Sequence, residues 1–396
     1  MKLIHEINIT NKKILIRVDF NVPLKNGRIL STFRLDQSLN TIKYCLEKNA
    51  SIILMSHLGR PEGKDPKLSL RPIHKYLNSH FPNKVFFTDD CISDKSLIKS
   101  KSLVGGQIHL LENLRYYSEE LKDSEDFARK LSHHADIYVN DAFGTSHRKH
   151  ASNSSILSFF CTKAIGLLMD KELSYLTNLN LNTGNGLTLL LGGAKVSTKL
   201  SIIRFFLGKA DKILVGGGMA FTFLKALGFN IGKSLFEENM YEEAKFIIEK
   251  SKISKTELFF PEDFLCSEFI ESEIVAHRKF NEIKDIEKGF DIGPHTIKTF
   301  SSLISESKYI IWNGPLGVSE IKKFSNGTES LANKIVALTN NKTLTSIVGG
   351  GDTASSVISL NLENYFSHVS TGGGASLKLL SGETLQLFKS WENNGK

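Results

Sequence analysis

Short apolar runs alternate with helix-patterned stretches along the whole chain, which restricts it to an α/β architecture with mainly parallel sheets. In the first half the runs are KKILIRVDFN (12–21), SIILMSHLGR (51–60), QIHLLENLRY (107–116) and ADIYVNDAFG (135–144). Each leads into Asp, Asn, His or Arg. In the second half they are LTLLLGGAK (187–195), DKILVGGGM (211–219), TSIVGGGD (345–352) and SHVSTGGG (367–374), each leading into glycines. Open α/β sheets bind ligands beyond the carboxyl ends of their strands. One half therefore offers charged side chains and the other bare backbone. Glycine lets a phosphate reach main-chain N–H groups, and a helix N-terminus adds a positive dipole end. Guanidinium groups instead grip a small carboxylate or phosphate bidentately. The contrast implies a nucleotide on the C-terminal half and a small, multiply anionic molecule on the N-terminal half.

At 396 residues the chain exceeds one ordinary domain, and two are expected. The stretch IGLLMDKELSYLTNL (165–179) reads as an amphipathic helix between the halves, with the hinge near it. With 41% hydrophobic and 23% charged residues the composition is that of a soluble globular protein. Cys45, Cys91, Cys161 and Cys266 are far apart and form no CxxC pair, so neither a zinc site nor a disulfide framework is suggested. The N-terminus MKLIHEINITNKK has no apolar signal core, and no apolar run reaches the ~20 residues that span a bilayer. These features lead to the expectation of a cytoplasmic protein. The formal charge is +8, but there is no dense basic block or aromatic RNA-binding signature, so no nucleic-acid partner is expected. A lysine-rich surface accounts for most of the charge.

The familiar nucleotide motifs fit poorly. Gly232-Lys233-Ser234 ends like a Walker A loop, but Leu227 stands where its first glycine belongs. Gly349 to Ala354 matches a dinucleotide fingerprint, yet the region VSTGGGAS, where an acidic ribose partner is expected, carries no carboxylate. An NAD-dependent dehydrogenase therefore stands only as an alternative. His147 and His150 could ligate a metal, but no nearby carboxylate or cysteine completes a site, and structural or solvent roles are expected. His133-His134 reads as a wet helix face. Lys195 and Lys199 read as opening a helix, KVSTKLSIIRFF, and as sharing the face of its first turns. Arg34 stands similarly ahead of LDQSLNTIKYCLEK. A cation at a helix N-terminus is disfavoured by about 0.3–1 kcal/mol, so an anion that offsets it is implied; exposed, screened side chains are the alternative. Asp352 poses the opposite problem, since a carboxylate would repel a phosphate bound there. A magnesium ion between them removes the conflict, and a plain helix cap is the alternative.

The motifs RVDFNVPL (17–24), SHLGRP (56–61), LLENLRY (110–116), VNDAFGTSHRKHAS (139–152), LLGGAKVSTKL (190–200), VGGGMAFTFLKALG (215–228), DIGP (291–294), WNGPLGV (312–318), GGGDTA (349–354) and STGGGASLKLL (370–380) follow one another along the chain. Together they closely resemble the phosphoglycerate kinase family over essentially its whole length. The resemblance implies two Rossmann-like domains with mainly parallel sheets, facing each other across a hinged cleft. The expected spans are 1–165 with a returning segment near 378–396, a hinge at 166–184, and 185–377. It implies 3-phosphoglycerate or 1,3-bisphosphoglycerate on Asp19, Phe20, Asn21, Arg34, His57, Leu58, Gly59, Arg60, Arg115 and Arg148. It implies Mg-ADP or Mg-ATP on Lys195, Lys199, Gly293, Asn313, Glu320, Gly350, Gly351, Asp352 and Thr353, with Asp352 holding Mg²⁺. Arg34, Lys195 and the backbone at Gly351 and Gly373 would stabilise the phosphoryl group in transit, in a monomeric enzyme. The acceptor carboxylate is already ionised at neutral pH, so no general base is needed. The chain departs from the family pattern at Ser319, where an aromatic residue is common, around STFRL (31–35), and in the tail ETLQLFKSWENNGK. A non-catalytic anion or nucleotide sensor on the same fold is a further alternative, favoured by loss of Arg34, Lys195 or Asp352; all three are present.

Overall fold

The computed structural model describes residues 1–181 and 186–394. The chain divides into two compact units, Met1–Ser174 with Thr384–Lys396, and Tyr175–Glu383. The division falls inside the helix Leu167–Leu181, which starts and ends slightly later than the sequence pattern indicates. Residues 182–184 of the expected hinge and 395–396 of the expected tail lie outside the described residues.

The first unit is built on a seven-stranded parallel sheet. Its order is Lys2–Leu3, Thr162–Ile165, Ile137–Asp141, Lys13–Val18, Ser51–Met55, Ile108–Leu110 and Val85–Phe87. These strands are near-continuous apolar runs because a parallel sheet is covered on both faces. Ile14, Ile16 and Val18 are fully buried and pack with Leu35, Leu39 and Ile42 of the helix Phe33–Glu47. Arg34 therefore lies within the first turn of that helix rather than ahead of it. Lys13–Val18 pairs with Ser51–Met55 on one side and Ile137–Asp141 on the other, and strand order reverses direction between the latter two. A crevice at the carboxyl ends is expected at such a switch point. The C-terminal helix Gln386–Asn393 completes this unit. Leu387 N donates to the Ser146 carbonyl at 2.9 Å, and the Ser154 and Ser390 hydroxyls lie 2.8 Å apart.

The second unit holds a six-stranded parallel sheet. Its order is Glu257–Phe259, Lys212–Val215, Leu187–Leu191, Tyr309–Asn313, Thr345–Gly349 and His368–Val369. Its switch point lies between Leu187–Leu191 and Tyr309–Asn313. The reading of apolar runs passes over this central Tyr309–Asn313 strand, whose short run YIIWN follows the polar stretch SESK (305–308). It also passes over an antiparallel sheet in which Asp263–Ser267 lies between Ala276–Lys279 and Lys288–Ile292. Those strands carry His277, Arg278, Lys288 and Asp291, which break the apolar pattern.

Two local expectations are corrected. The helix after Gly192-Gly193 begins at Leu200, so Lys195 and Lys199 lie on the turn that leads into it and do not share a helical face. His134 is not on a wet surface. It is 2% exposed, with Nδ1 2.7 Å from Ser100 Oγ and Nε2 3.0 Å from the Cys91 carbonyl; only His133 faces solvent.

Candidate active site

The first cluster grows from the carboxyl end of Lys13–Val18. Arg17, the last residue but one of this strand, is fully buried; its Nε donates to Ser152 Oγ at 2.8 Å. Ser152 in turn donates from Oγ (2.6 Å) and N (3.0 Å) to the buried Glu120 carboxylate. Arg17 Nη2 also donates to His57 Nδ1 at 3.1 Å. Burial first, then the charges of Arg17, Arg115 and Arg148, hold the His57 pKa well below the usual range, so its ring is neutral and can accept. Arg17 escapes a sequence reading because it sits in a strand interior, where a charged residue gives no periodic signal.

Asp19 follows that strand and is 4% exposed. Arg34 Nη1 lies 3.4 Å from Asp19 Oδ2 and donates to the Asn21 carbonyl at 3.0 Å. Asn21 Oδ1 accepts from Gly59 N at 2.9 Å, and Arg115 Nη1 donates to the Gly59 carbonyl at 2.5 Å. Asn113 brackets Leu58, accepting from its N–H at 3.1 Å and donating to its carbonyl at 2.8 Å. Phe20 is buried in the core, and its N–H donates to Ser56 Oγ at 2.9 Å. Arg60 is exposed at the edge of the group. Desolvation, then the neighbouring Arg148 and Arg17, hold Arg115 down to about 10. Arg148 is also held down, by desolvation first and in part by Arg60, Arg17 and Arg34, while Asp19 opposes. His150 is lowered to about 3 by burial and then by Arg17, Arg115 and Arg148. Arg17, Arg34, Arg60, Arg115 and Arg148 thus outnumber Asp19 and Glu120. Arg115 Nε is buried without a hydrogen-bond partner among the described residues.

The second cluster forms at the switch point of the other unit. The Gly192 and Gly314 backbones meet so closely that a Cβ on Gly192 would stand 2.2 Å from the Pro315 carbonyl oxygen. These glycines serve loop packing. Gly351 and Gly373 are different, since a Cβ on either would meet nothing within 4 Å. Gly350 caps the helix Gly351–Ser359 at φ +91°, and Gly373 caps Gly374–Leu380 at φ +48°, backbone that side chains rarely adopt. Both helix starts open on a cleft of about 350 Å³, which is also lined by Lys195, Lys199, Asn313, Asp352 and Thr353. Thr353 Oγ1 accepts from Gly314 N at 2.6 Å.

Lys199 donates from Nζ to Asn313 Oδ1, which leaves Asn313 Nδ2 buried and without a partner among the described residues. Desolvation lowers the Lys199 pKa, and the nearby Asp352 opposes this. The Asp352 side chain is exposed at the mouth of the cleft. Lys195 is likewise exposed; its carbonyl accepts from Thr198 Oγ1 at 2.9 Å. An adjoining, mostly apolar cleft of about 430 Å³ is lined by Phe221, Leu235, Phe264, Leu316 and Val318, with Glu320 and Asp352 also on its wall. Ser319 Oγ lies 2.9 Å from Ser356 Oγ, and both residues line a hollow of about 190 Å³. Gly293 caps the helix Pro294–Ser305, with its Cβ position 2.4 Å from the Asp263 carboxylate.

One unit thus gathers cations suited to a small polyanion. The other presents two helix starts, a half-buried ammonium and an exposed carboxylate beside an apolar slot, as a nucleotide's phosphates and base require.

The family model for phosphoglycerate kinase matches residues 4–383. The chain is 46% identical over 388 residues to phosphoglycerate kinase of Finegoldia magna, covering 97% of each chain. It is 43% identical over 385 residues to cytosolic phosphoglycerate kinase of Triticum aestivum, covering 96% of this chain and 95% of that one. Among solved structures it is similar to phosphoglycerate kinase of Coxiella burnetii, with a TM-score of 0.86, 34% identity and 99% of both chains covered. It is similar also to the Pyrococcus horikoshii enzyme, with a TM-score of 0.85, 28% identity, and 100% of this chain and 99% of that one covered.

Proposed function

The chain belongs to the phosphoglycerate kinase family, and on that premise we propose how its own residues carry the reaction. The enzyme is a phosphotransferase with a carboxyl acceptor. It moves a phosphoryl group reversibly from 1,3-bisphosphoglycerate to ADP, giving 3-phosphoglycerate and ATP in glycolysis. The observation that carries the residue assignment is a pair of buried donors without a hydrogen-bond partner among the described residues, Arg115 Nε in one cluster and Asn313 Nδ2 in the other. A buried N–H left without a partner costs about 1–3 kcal/mol, so a ligand that accepts from each is the economical explanation.

In this reading the arginine cluster around Asp19 and His57 binds the phosphoglycerate, with Arg34, Arg60, Arg115 and Arg148 meeting its anionic ends. Asn21, Phe20, Leu58 and Gly59 shape the backbone around them. The nucleotide lies along the second unit's two clefts, its base against the apolar wall, its ribose near Glu320 and its phosphates at Gly350, Gly351, Thr353 and Gly373. Lys199 and Asn313 meet those phosphates from the strand side. Gly293, packed against Asp263, would meet the nucleotide beside this wall. Lys195 and Arg34 neutralise the phosphoryl group in transit, and the N–H groups at Gly351 and Gly373 add neutral donors.

Magnesium fits the second cluster. Asp352 offers a hard carboxylate oxygen, exposed beside the cleft, and no hydrogen bond recorded among the described residues occupies that carboxylate. When bound, the ion would neutralise phosphate charge. The acceptor carboxylate attacks as an anion, so the protein supplies position, charge and exclusion of water and needs no base. The reading extends to a cytoplasmic monomer without a nucleic-acid partner, in keeping with the small-molecule chemistry. Among the described residues no helix is long and apolar enough to cross a membrane. A coupled assay for ATP formation from 1,3-bisphosphoglycerate and ADP tests the reading. Binding of both ligands without turnover would favour a sensor on this fold.

A further inference from the structure

Away from both clusters, the antiparallel sheet of the second unit brings together three metal-ligating side chains from separate elements. Asp263 opens the strand Asp263–Ser267, His277 lies on Ala276–Lys279, and His295 stands in the first turn of Pro294–Ser305. His277 Nε2 is 2.5 Å and His295 Nδ1 3.1 Å from the same oxygen, Asp263 Oδ2. One ligand atom from each residue lies within 4.8 Å of the others. The imidazole rings are nearly parallel, 19° apart with centroids 5.6 Å from one another.

We propose that Asp263, His277 and His295 form a binding site for a borderline divalent cation of the Zn²⁺ class, separate from the nucleotide-bound Mg²⁺. Three features of the site favour this over a simple pair of hydrogen bonds. The donor set is two imidazoles and one carboxylate, which suits zinc and its neighbours and does not suit Mg²⁺. The carboxylate is fully buried and already held: Thr296 N (2.8 Å) and Oγ1 (2.6 Å) both donate to Oδ1, while Oδ2 accepts from His295 N at 3.0 Å and faces the two imidazoles. Hydrogen bonds of this kind orient the ligands of established metal sites. Both imidazoles are partly exposed, with side chains 41% and 63% accessible, which gives an entry path and leaves room for a water as fourth ligand.

The geometry requires only small side-chain movement. Ligand atoms about 2.0–2.1 Å from a tetrahedral zinc are roughly 3.3 Å apart, against the 2.5 and 3.1 Å found here. Without metal the near nitrogens, Nε2 of His277 and Nδ1 of His295, donate to Asp263 Oδ2; with metal bound each ring would carry its proton on the far nitrogen instead. The neighbouring Arg278 does not compete, because its guanidinium is bidentate on Glu287, with Nη2 2.8 Å from Oε1 and Nε 3.0 Å from Oε2. A bound ion would tie two strands to a helix start directly behind the nucleotide cleft, whose wall includes Phe264 and Gly289 of the same sheet.

The full chain, stripped with a chelator and kept in Mg²⁺-containing buffer, is titrated with ZnCl₂ by calorimetry and followed by thermal melting. One equivalent should bind in the micromolar range or tighter and raise Tm. His277→Ala and His295→Ala should each weaken binding at least about tenfold, the double variant should lose the Tm increase, and kinase activity in Mg²⁺ should stay within a few-fold. Asp352→Asn and Cys161→Ser should leave zinc binding unchanged, and Co²⁺ should give visible absorption bands that vanish in the double variant. Absence of binding up to about 100 µM ZnCl₂, or undiminished binding in the double variant, overturns the proposal.

Discussion

Lys195 and Lys199 are four residues apart, yet their surroundings give them different tasks. Lys199 is largely withdrawn from solvent and its ammonium is engaged by Asn313, whereas Lys195 is exposed at the rim of the same cleft. A side chain held in place before the ligand arrives suits ground-state binding. One free to follow a moving charge suits the transition state, where a contact raises kcat only if it strengthens there. Lys195→Ala should therefore lower kcat by about 10²–10³ with little change in phosphoglycerate binding. Steady-state kinetics with separate ligand titrations decide it, and a rise confined to the nucleotide KM would make Lys195 a ground-state contact. Asp352→Asn should keep the helix start and lose the charge. Activity should fall steeply and recover in part at much higher Mg²⁺; an unchanged Mg²⁺ dependence would reduce Asp352 to a helix cap.

At the scale of elements, the glycine-rich strand ends separate into two kinds. Gly192 is held against the Pro315 and Gly314 carbonyls, while Gly351 faces open space at the first turn of its helix. Gly192→Ala should force those loops apart and lower the melting temperature of the second unit by several degrees. Gly351→Ala should leave the melting temperature level or higher, because alanine is the better helix residue, while a methyl group in the phosphate cleft weakens ADP binding. Calorimetric melting and ADP titration of both variants distinguish packing from ligand approach. Sequence alone could not make this distinction, because both glycines follow an apolar strand in the same pattern. What the pattern did carry was the strand ends themselves, since apolar runs in a parallel sheet are continuous and stop where the site begins. It did not carry the Tyr309–Asn313 strand, the antiparallel sheet or Arg17. There, charged and polar residues are buried by pairing with partners distant in sequence, as Arg17 is with Ser152 and Asp263 with Thr296. The helix after Gly193 starts later than its residue pattern suggests for a related reason, because Val196 and Lys199 form a turn of their own before Leu200.

At the scale of the whole molecule, the buried titratable groups are unevenly shared. The first unit holds His57 well below the usual range, His109 and His150 at about 3 and His134 at about 4, all through burial first. A histidine with a lowered folded pKa adds stability above its ordinary value of ~6.5 and loses it as pH falls toward the folded value. Asp141, raised to about 7, and Glu120, also raised, act in the opposite direction but are fewer. In the second unit burial raises Asp291 to about 7, so that group favours the fold on acidification between about pH 7 and 4. The first unit should therefore unfold at a higher pH than the second. The chain has two tryptophans, Trp391 in the first unit and Trp312 in the second, so each can report on its own unit. On acid titration the emission of Trp312→Phe, which keeps Trp391, should change before that of Trp391→Phe; coincident or reversed transitions would refute the assignment. The placement of Trp391 has another consequence, for the making of the protein. The helix that carries it is made after the whole of the second unit, yet it docks on Ser146 and Ser154, made long before. At ~5–20 residues per second, residues 175–383 occupy about 10–40 s of synthesis. Throughout that interval the nascent first unit has a bare apolar seat where Leu387 and Trp391 will be buried.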